Sequence, residues 1–468
     1  MTILAPFIMQ NIFRNLPSVN QLLESEPLKK LVESVNHTVV ADGVRTFLDD
    51  VRQQVSDKAG DLNVPSPQEM ANMIADFLKA EEVPYLRKVI NGTGIILHTG
   101  LGRAPLAKQA INAVAEISQG YASVEIDLRS GGRGQRAKAV ERLLCELTGA
   151  EAAVIVNNNA AATMLTLSAM AAGKEVIVSR GQLIEIGGSY RLPDVMECSG
   201  AKLREVGTTN KTHLADYENA INENTGALLK VHPSNFEVVG FTKTVSTQEM
   251  VAIAHKHGLP VIDDVGSGAL IDYSQFGLMN EPVVQDSLNE GADVALFSGD
   301  KLIGGPQCGI IVGKSKWIKT ILANPLMRAM RVDKMTLAAL HATLLLYRDQ
   351  ETVMTQVPIL RMLSMPIANL KMRADKIAAQ IKASSAVQDC EVVEEQSMLG
   401  GGSLPTQKIP TWCVSIAANG SIDSLAEQLR KNEPAIMGRV QKDRLMLDMR
   451  TIDVSDDSEL VEAFSAIS

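Results

Sequence analysis

The sequence of 468 residues offers no paired cysteines. Cys145, Cys198, Cys308, Cys390 and Cys413 are odd in number and scattered. None stands at C-x-x-C spacing, so neither a zinc site nor a disulfide framework is indicated, and no metal is expected. Excess positive charge is also lacking. The formal net charge of −9 gives no global basic field of the kind that advertises a nucleic-acid partner. No apolar stretch is long enough to span a bilayer, so no membrane association is expected. The opening MTILAPFIMQNIF carries neither a basic n-region nor a small-residue cleavage pattern, so no signal peptide is expected. No repeat of fixed period is visible. What is there, 46% hydrophobic and 21% charged residues, is the composition of an ordinary globular protein. The length suits roughly two to four domains. A cytoplasmic, reducing location fits these features.

Apolar residues recur at helical spacing through Leu22, Leu28, Leu31, Val44, Phe47 and Val51. A small helical domain is therefore expected over 1–60. Its charge is nearly balanced, with six Lys and Arg against seven Asp and Glu in residues 1–59. The polar stretch Gly60–Pro67 reads as a linker, and 61–88 as linker plus one amphipathic helix. From 89 the texture changes to short β-branched runs alternating with helical segments. That pattern predicts βαβ units, a mostly parallel sheet and a large α/β domain over 89–335. The remainder, 336–468, opens with a long helical stretch interrupted near Pro358 and Pro366 and then reads as a smaller α+β domain.

In parallel sheets, ligand-binding residues collect on loops at the carboxyl ends of strands. Four such loops carry chemistry. Val156-Asn157-Asn158-Asn159-Ala160 runs from a strand into an Ala-rich helix, whose exposed N–H groups suit a phosphate. Val231-His232-Pro233-Ser234 is a polar loop after an apolar strand. Asp264 ends a buried strand, where an unpaired carboxylate is costly and needs a cation or strong donors. Ser298-Gly299-Asp300-Lys301 follows the run Val294–Phe297, and Gly304-Gly305-Pro306 turns the chain tightly behind it. A lysine held there loses solvation and becomes an amine nucleophile. One crossover separates Asp264 from Lys301, so both reach neighbouring strand ends. A buried carboxylate, a phosphate cradle and a lysine together form the outfit that pyridoxal 5'-phosphate needs.

Longer stretches then carry a resemblance: INGTGIILHTGLGRAPL (90–106), VNNNAAATML (156–165), VSRGQLIEIGGSYRLPDVM (178–196), EVGTTNKTH (205–213), VHPSNFEVVGFT (231–242), DDVGSGALID (263–272), FSGDKLIGGPQCGIIVGK (297–314) and RVDKMTLAAL (331–340). Nearly end to end, the chain resembles the bacterial selenocysteine synthases, the L-seryl-tRNA(Sec) selenium transferases. NLPSVNQLLESEPLKKLV (15–32) resembles their N-terminal tRNA-binding module. Gly100 departs from the asparagine expected in that family.

The resemblance implies a fold-type-I, aspartate aminotransferase-like α/β fold with pyridoxal phosphate on Lys301 as Schiff-base lysine. It implies a cofactor site of Lys301, Asp264, Asn157, Asn158, Asn159, Ala160, Ser234 and Ser298. It implies a homo-oligomer, a decamer built as a pentamer of dimers, with tRNA docked by the N-terminal domain. The implied reaction converts seryl-tRNA(Sec) to selenocysteinyl-tRNA(Sec) through an aminoacrylyl-tRNA intermediate, with selenophosphate as donor. Lys301 would serve as general base beside its anchoring role, and Asp264 would pair with the pyridinium nitrogen.

In seryl-tRNA the α-carboxylate is esterified, so no arginine clamp is needed for it. Arg103, Arg328 and Arg331 are nonetheless present. Their family role is to bind the selenophosphate-like donor, and a spacing of three puts the last two on one helical face. An interface salt bridge or a solvated face is the plainer reading. His98 is left open between cofactor contact and a structural role, Tyr190 and Arg191 between the cofactor and a subunit interface, and Asp300 between easing the lysine's solvation, touching the substrate and capping the turn. The competing function is a pyridoxal phosphate lyase or transferase of the same superfamily acting on a small free amino acid or amino sugar. Such an enzyme has no use for the extra helical unit. A tRNA-binding protein that has lost catalysis is disfavoured by intact Lys301. For the near-neutral helical unit to hold tRNA, Arg14, Lys29, Lys30, Arg45, Arg52 and Lys58 must share a face.

Overall fold

The computed structural model describes residues 16–57, 65–82, 84–188 and 190–467. The chain forms two compact units that meet in sequence between Lys88 and Val89. Among the described residues the first contains four helices, α1 (Val19–Leu23), α2 (Glu26–Ser34), α3 (His37–Asp57) and α4 (Pro67–Glu82). Ser18 caps α1 by accepting from the Gln21 N–H. Ser66 and Glu69 cap α4 reciprocally, the Glu69 carboxylate accepting from the Ser66 N–H at 2.7 Å and the Ser66 hydroxyl from the Glu69 N–H at 3.3 Å.

Leu22, Leu28, Leu31, Val40, Val44 and Leu48 form the core together with Met70, Ile74 and Leu78. A Cβ on Gly43 would lie 2.3 Å from Leu78 Cδ2, so the glycine admits close packing of α3 and α4. The boundary expected after residue 60 therefore separates helices that share one core. Arg14, Lys58 and residues 60–64 of the expected linker lie outside the described residues.

The second unit holds two large sheets. Its strands are β1 (Val89–Gly92), β2 (Ile95–Leu97), β3 (Ala152–Val156), β4 (Glu175–Ser179), β5 (Glu185–Ile186), β6 (Tyr190–Arg191), β7 (Lys202–Val206) and β8 (Thr225–Val231). They continue with β9 (Val261–Gly266), β10 (Val294–Ser298), β11 (Gly309–Gly313), β12 (Val387–Gly400), β13 (Ser403–Ala418), β14 (Ala435–Gln441) and β15 (Arg444–Asp448).

The seven-stranded sheet runs β3-β11-β10-β9-β8-β4-β7. Only β11 is antiparallel to its neighbours, because it returns directly from the lysine loop after β10. Near-continuous apolar runs such as Val294–Phe297 are buried, as a sheet covered on both faces requires. An Ala-rich helix, α5 (Asn159–Ala171), packs Ala162, Leu165 and Leu167 into that core.

The six-stranded sheet runs β1-β14-β15-β13-β12-β2. Its first and last members come from residues 89–97, expected in the large α/β domain. Ile90 pairs in parallel with Ile436, and Ile95 with Met398. The boundary expected at 335 shifts as well. The helix Lys334–Leu346 packs Leu337, Leu340 and Leu344 against the large sheet, whereas Ile367–Ile381 packs against the smaller one. Pro358 opens its helix and Pro366 caps the next, consistent with a ring that lacks an N–H to donate. Gly400, Gly401 and Gly402, all at positive φ, turn the chain between β12 and β13.

Candidate active site

β9 and β10 are parallel neighbours, with Asp264 opposite Leu296 and the register shifting just beyond. Their carboxyl ends bring Asp264 and the loop after Ser298 to one edge. That loop is tightly held. The Leu302 N–H donates to the Ser267 carbonyl at 3.1 Å, and the Tyr273 hydroxyl to the Leu302 carbonyl at 2.8 Å. The Tyr347 hydroxyl donates to the Ile303 carbonyl at 2.9 Å. A Cβ on Gly299 would meet Cys308 Sγ at 2.4 Å, so only glycine allows this turn.

The loop delivers Lys301 into a cavity of about 450 Å³, where it is 7% exposed. Burial lowers the pKa of its amine, with Arg103 adding to the effect and Asp264, Asp300 and Glu281 opposing it. Asp264 lines the same cavity at 4% exposure. Its Oδ1 accepts from Asn159 Nδ2 at 2.9 Å and its Oδ2 from Thr163 Oγ1 at 3.1 Å. Both donors lie on α5, four residues apart and hence on one face. Desolvation pushes the Asp264 carboxyl up to about 6, against the pull of these two donors.

Asn158 caps α5, its Oδ1 accepting from the Ala161 N–H at 2.9 Å. Its side chain is thus engaged, and the opening turn of α5 at Asn159 and Ala160 faces the cavity. A Cβ on Gly309 would lie 2.1 Å from the Asn158 carbonyl oxygen, so glycine lets β11 run beside this cradle. Ser234 and Ser298 complete the wall, both buried. Asn157 stands outside it, exposed, with its N–H bonded to the Met330 carbonyl at 2.9 Å.

Arg103 lines the cavity and pairs with Asp300 at 2.6 Å. It does so at φ +64, in the left-handed region that side chains rarely adopt. Asp300, left open by the sequence, is thereby a cavity residue and the partner of this guanidinium. Arg328 and Arg331 do not line the cavity. The helix α6 (Leu326–Met330) stops before Arg331, which is extended and bridges Val156 of β3. The single helical face expected for the two is therefore absent. Arg331 instead lies 3.7 Å from Glu125.

Several cavity residues had no assigned role in the sequence. Thr163, behind Asp264 and not itself on the lining, was readable as the i+4 companion of Asn159. Tyr190 lines the wall near Thr163 and Asp264, and burial raises its phenol pKa. Arg191 points to other partners, lying 3.4 Å from Glu185. Burial drives the His232 imidazole down to about 4, helped by Lys230 and Lys301. Gly401 and Gly402 bring the smaller sheet's turn to the cavity, and a Cβ on Gly402 would lie 3.8 Å from Lys301 Nζ. His98 is not a lining residue, and Cys308 is a buried thiol with a raised pKa.

These residues fit pyridoxal phosphate. The amine is buried and poorly solvated. The carboxylate is buried with two neutral donors and with the Lys301 amine acting on it by charge, and Asn159 Oδ1 is a buried acceptor with no partner among the described residues. The α5 N-terminus supplies an anion site. Among the described residues no group of His, Cys, Asp or Glu is arranged to hold a metal ion, and no helix is long and apolar enough to cross a membrane.

The pattern of the family described as L-seryl-tRNA selenium transferase matches residues 89–453, and that described as selenocysteine synthase N terminal matches residues 13–52. A protein of Clostridium botulinum (strain Okra / Type B1) named L-seryl-tRNA(Sec) selenium transferase is 45% identical over 459 residues, 98% of this chain and 99% of its own. One of the same name from Maridesulfovibrio salexigens is 47% identical over 465 residues, 98% of this chain and 100% of its own. Among solved structures, D-glucosaminate-6-phosphate ammonia-lyase superposes with a TM-score of 0.55 over 81% of this chain and 95% of that one. At 22% identity that likeness speaks for the fold alone, and it agrees with the fold-type-I class expected from the sequence. Identity of this extent, spanning both units and the lysine loop, shows that the chain belongs to the L-seryl-tRNA selenium transferase family.

Proposed function

We propose that this protein converts seryl-tRNA(Sec) to selenocysteinyl-tRNA(Sec) with selenophosphate as selenium donor, acting in the cytoplasm as a homo-oligomer, a decamer arranged as a pentamer of dimers. The observation that carries the catalytic reading is a buried amine, a buried carboxylate and a helix N-terminus around one cavity. Near-full-length identity to relatives bearing the transferase name supports the substrate.

When bound, pyridoxal phosphate supplies an electron sink for the bonds at the serine α-carbon. The chain supplies the rest. Lys301 would hold the cofactor, and its free amine would take the proton from the serine α-carbon as general base. Its lowered proton affinity suits that task, because a buried amine is more readily neutral. Asp264, fixed by Asn159 and Thr163, would offer its carboxylate to the ring nitrogen. The α5 N-terminus, with Ser234 and Ser298, would hold the phosphate.

Arg103 meets the oxyanion of the selenium donor, with Asp300 holding its guanidinium meanwhile. Arg328 and Arg331, outside the cavity, would take further oxyanion charge of the same donor. Support for this comes from the pairing of their segment with the end of β3, the strand leading into the cradle. The helical unit through Lys88 docks the tRNA.

Borohydride reduction of the loaded protein followed by peptide mapping tests the centre of this proposal. The expected adduct is on Lys301. Reduction without an adduct there overturns the cofactor role. The competing reading, a small free amino acid as substrate, requires turnover of free serine at a rate like that of seryl-tRNA(Sec).

A further inference from the structure

The acids around Lys301 are not all free to balance its charge. Asp300 is engaged by Arg103 at 2.6 Å. Asp264 is held by Asn159 and Thr163 and is committed to the cofactor on the reading above. One acid is left, Glu281, which is not among the residues lining the cavity. It is 8% exposed and precedes a proline in the segment leading to the helix Val284–Asn289. One carboxylate oxygen accepts from the Ser267 hydroxyl. The other, Oε2, is buried with no hydrogen-bond partner among the described residues.

Ser267 connects this acid to the lysine loop. It stands between Gly266 and Gly268, at φ +72 and +74, and its carbonyl accepts the N–H of Leu302, the residue after Lys301. A Cβ on Gly268 would lie 2.9 Å from the Ser298 carbonyl oxygen, so the turn is packed directly onto the strand that leads to the lysine. One residue thus joins the buried acid to the backbone that carries the amine. A buried carboxylate with a bare oxygen is costly unless a cation compensates it. The cation that acts on Glu281 is Lys301, and the attraction is mutual.

We propose that Glu281 is a positioning residue for Lys301: it braces the lysine loop through Ser267 and supplies the buried negative charge that supports the protonated amine. Burial pushes the Glu281 carboxyl up to about 7, so this support is graded across the neutral range. The charged and titratable groups facing Lys301 are Arg103, Asp264, Asp300, Glu281 and His232. Those facing Glu281 are Lys301 and Tyr273. The proposal takes from the preceding section only that Lys301 is the reacting amine.

The test uses the full chain before cofactor is added. Competitive acetylation with acetic anhydride across pH, read by mass spectrometry at the Lys301 peptide, gives the midpoint at which that amine loses its proton. In Glu281→Gln the midpoint falls by about one unit, a tenfold loss of proton affinity. Glu281→Asp restores most of it, which a purely steric role would not do. An unchanged midpoint in Glu281→Gln overturns the proposal.

Should that variant fail to fold, Ser267→Ala retains the acid while removing its donor. A smaller fall in the same direction is then expected, and no fall overturns the proposal. Borohydride mapping on the loaded wild type separates the two readings. A shifted midpoint without a Lys301 adduct defeats the cofactor role and leaves the Glu281–Lys301 coupling standing. An adduct with no shifted midpoint does the reverse.

Discussion

The helical unit and the catalytic cavity pair their charges in opposite ways. In the helical unit, Lys29 meets Glu24 at 2.7 Å, Lys30 meets Glu26 at 3.1 Å, and Arg45 and Arg52 meet Asp42 and Asp49, all with both partners largely exposed. Such pairs are worth little in water, about 0–1 kcal/mol, and salt screens them. Each of these cations can therefore leave its acid for a phosphate with little loss of stability. Around Lys301 the groups are buried, and their protonation states are fixed by desolvation and by named partners. The first arrangement suits exchange with a polyanion. The second suits chemistry that depends on which atom holds a proton.

The sharpest way to break this contrast is Lys301→Ala. It should remove the borohydride-dependent adduct and lower turnover by about a thousandfold or more, measured as selenium incorporation into tRNA. Retained turnover would place the chemistry elsewhere.

Removing residues 1–88 comes next. Binding of tRNA should be lost while the cofactor's visible absorbance stays, by gel shift and spectrophotometry. A cut after residue 60 should instead leave Met70, Ile74 and Leu78 without their core and give aggregated protein. Equal solubility of the two truncations would contradict the shared core.

Asp264→Asn addresses the buried side alone. Its carboxyl is raised to about 6, above the ordinary unfolded value near 3.9. The folded state therefore holds the proton more tightly, and wild-type stability falls as pH rises from about 4 to 6 and then levels off. In cofactor-free protein, thermal unfolding of the variant should gain on wild type by roughly 1–3 kcal/mol across that window. A constant difference across the window would show that Asp264 does not titrate there.

The smallest effect belongs to the exposed pairs. Lys30→Gln should change stability by no more than about 0.5 kcal/mol. If Lys30 touches a phosphate, the slope of log affinity against log salt falls by about 0.7–0.9.

Sequence alone reached far in the large sheet, because Asp264, Lys301 and the Asn158–Ala160 cradle all follow strands with strong apolar runs. It reached less far where tertiary pairing decides conformation. Arg328 and Arg331 obey helical spacing, yet α6 ends at Met330 and Arg331 is drawn into an extended bridge with Val156. Val89–Gly92 and Ile95–Leu97 look like the start of the large domain, and their partners lie some three hundred residues downstream. Glu281 carries no role in the sequence reading. Its burial depends on the Gly266–Gly268 turn and leaves no local pattern.

The pairing of β1 with β14 has a consequence for synthesis. Val89 waits for Ala435, so the smaller sheet cannot close until nearly the whole chain has left the ribosome. The helical unit, built from contacts close in sequence, is free to form long before. Gly401 and Gly402 reach the cavity from that late sheet. A nascent chain can thus carry its folded N-terminal helices for most of translation before the cavity around Lys301 gains its last wall.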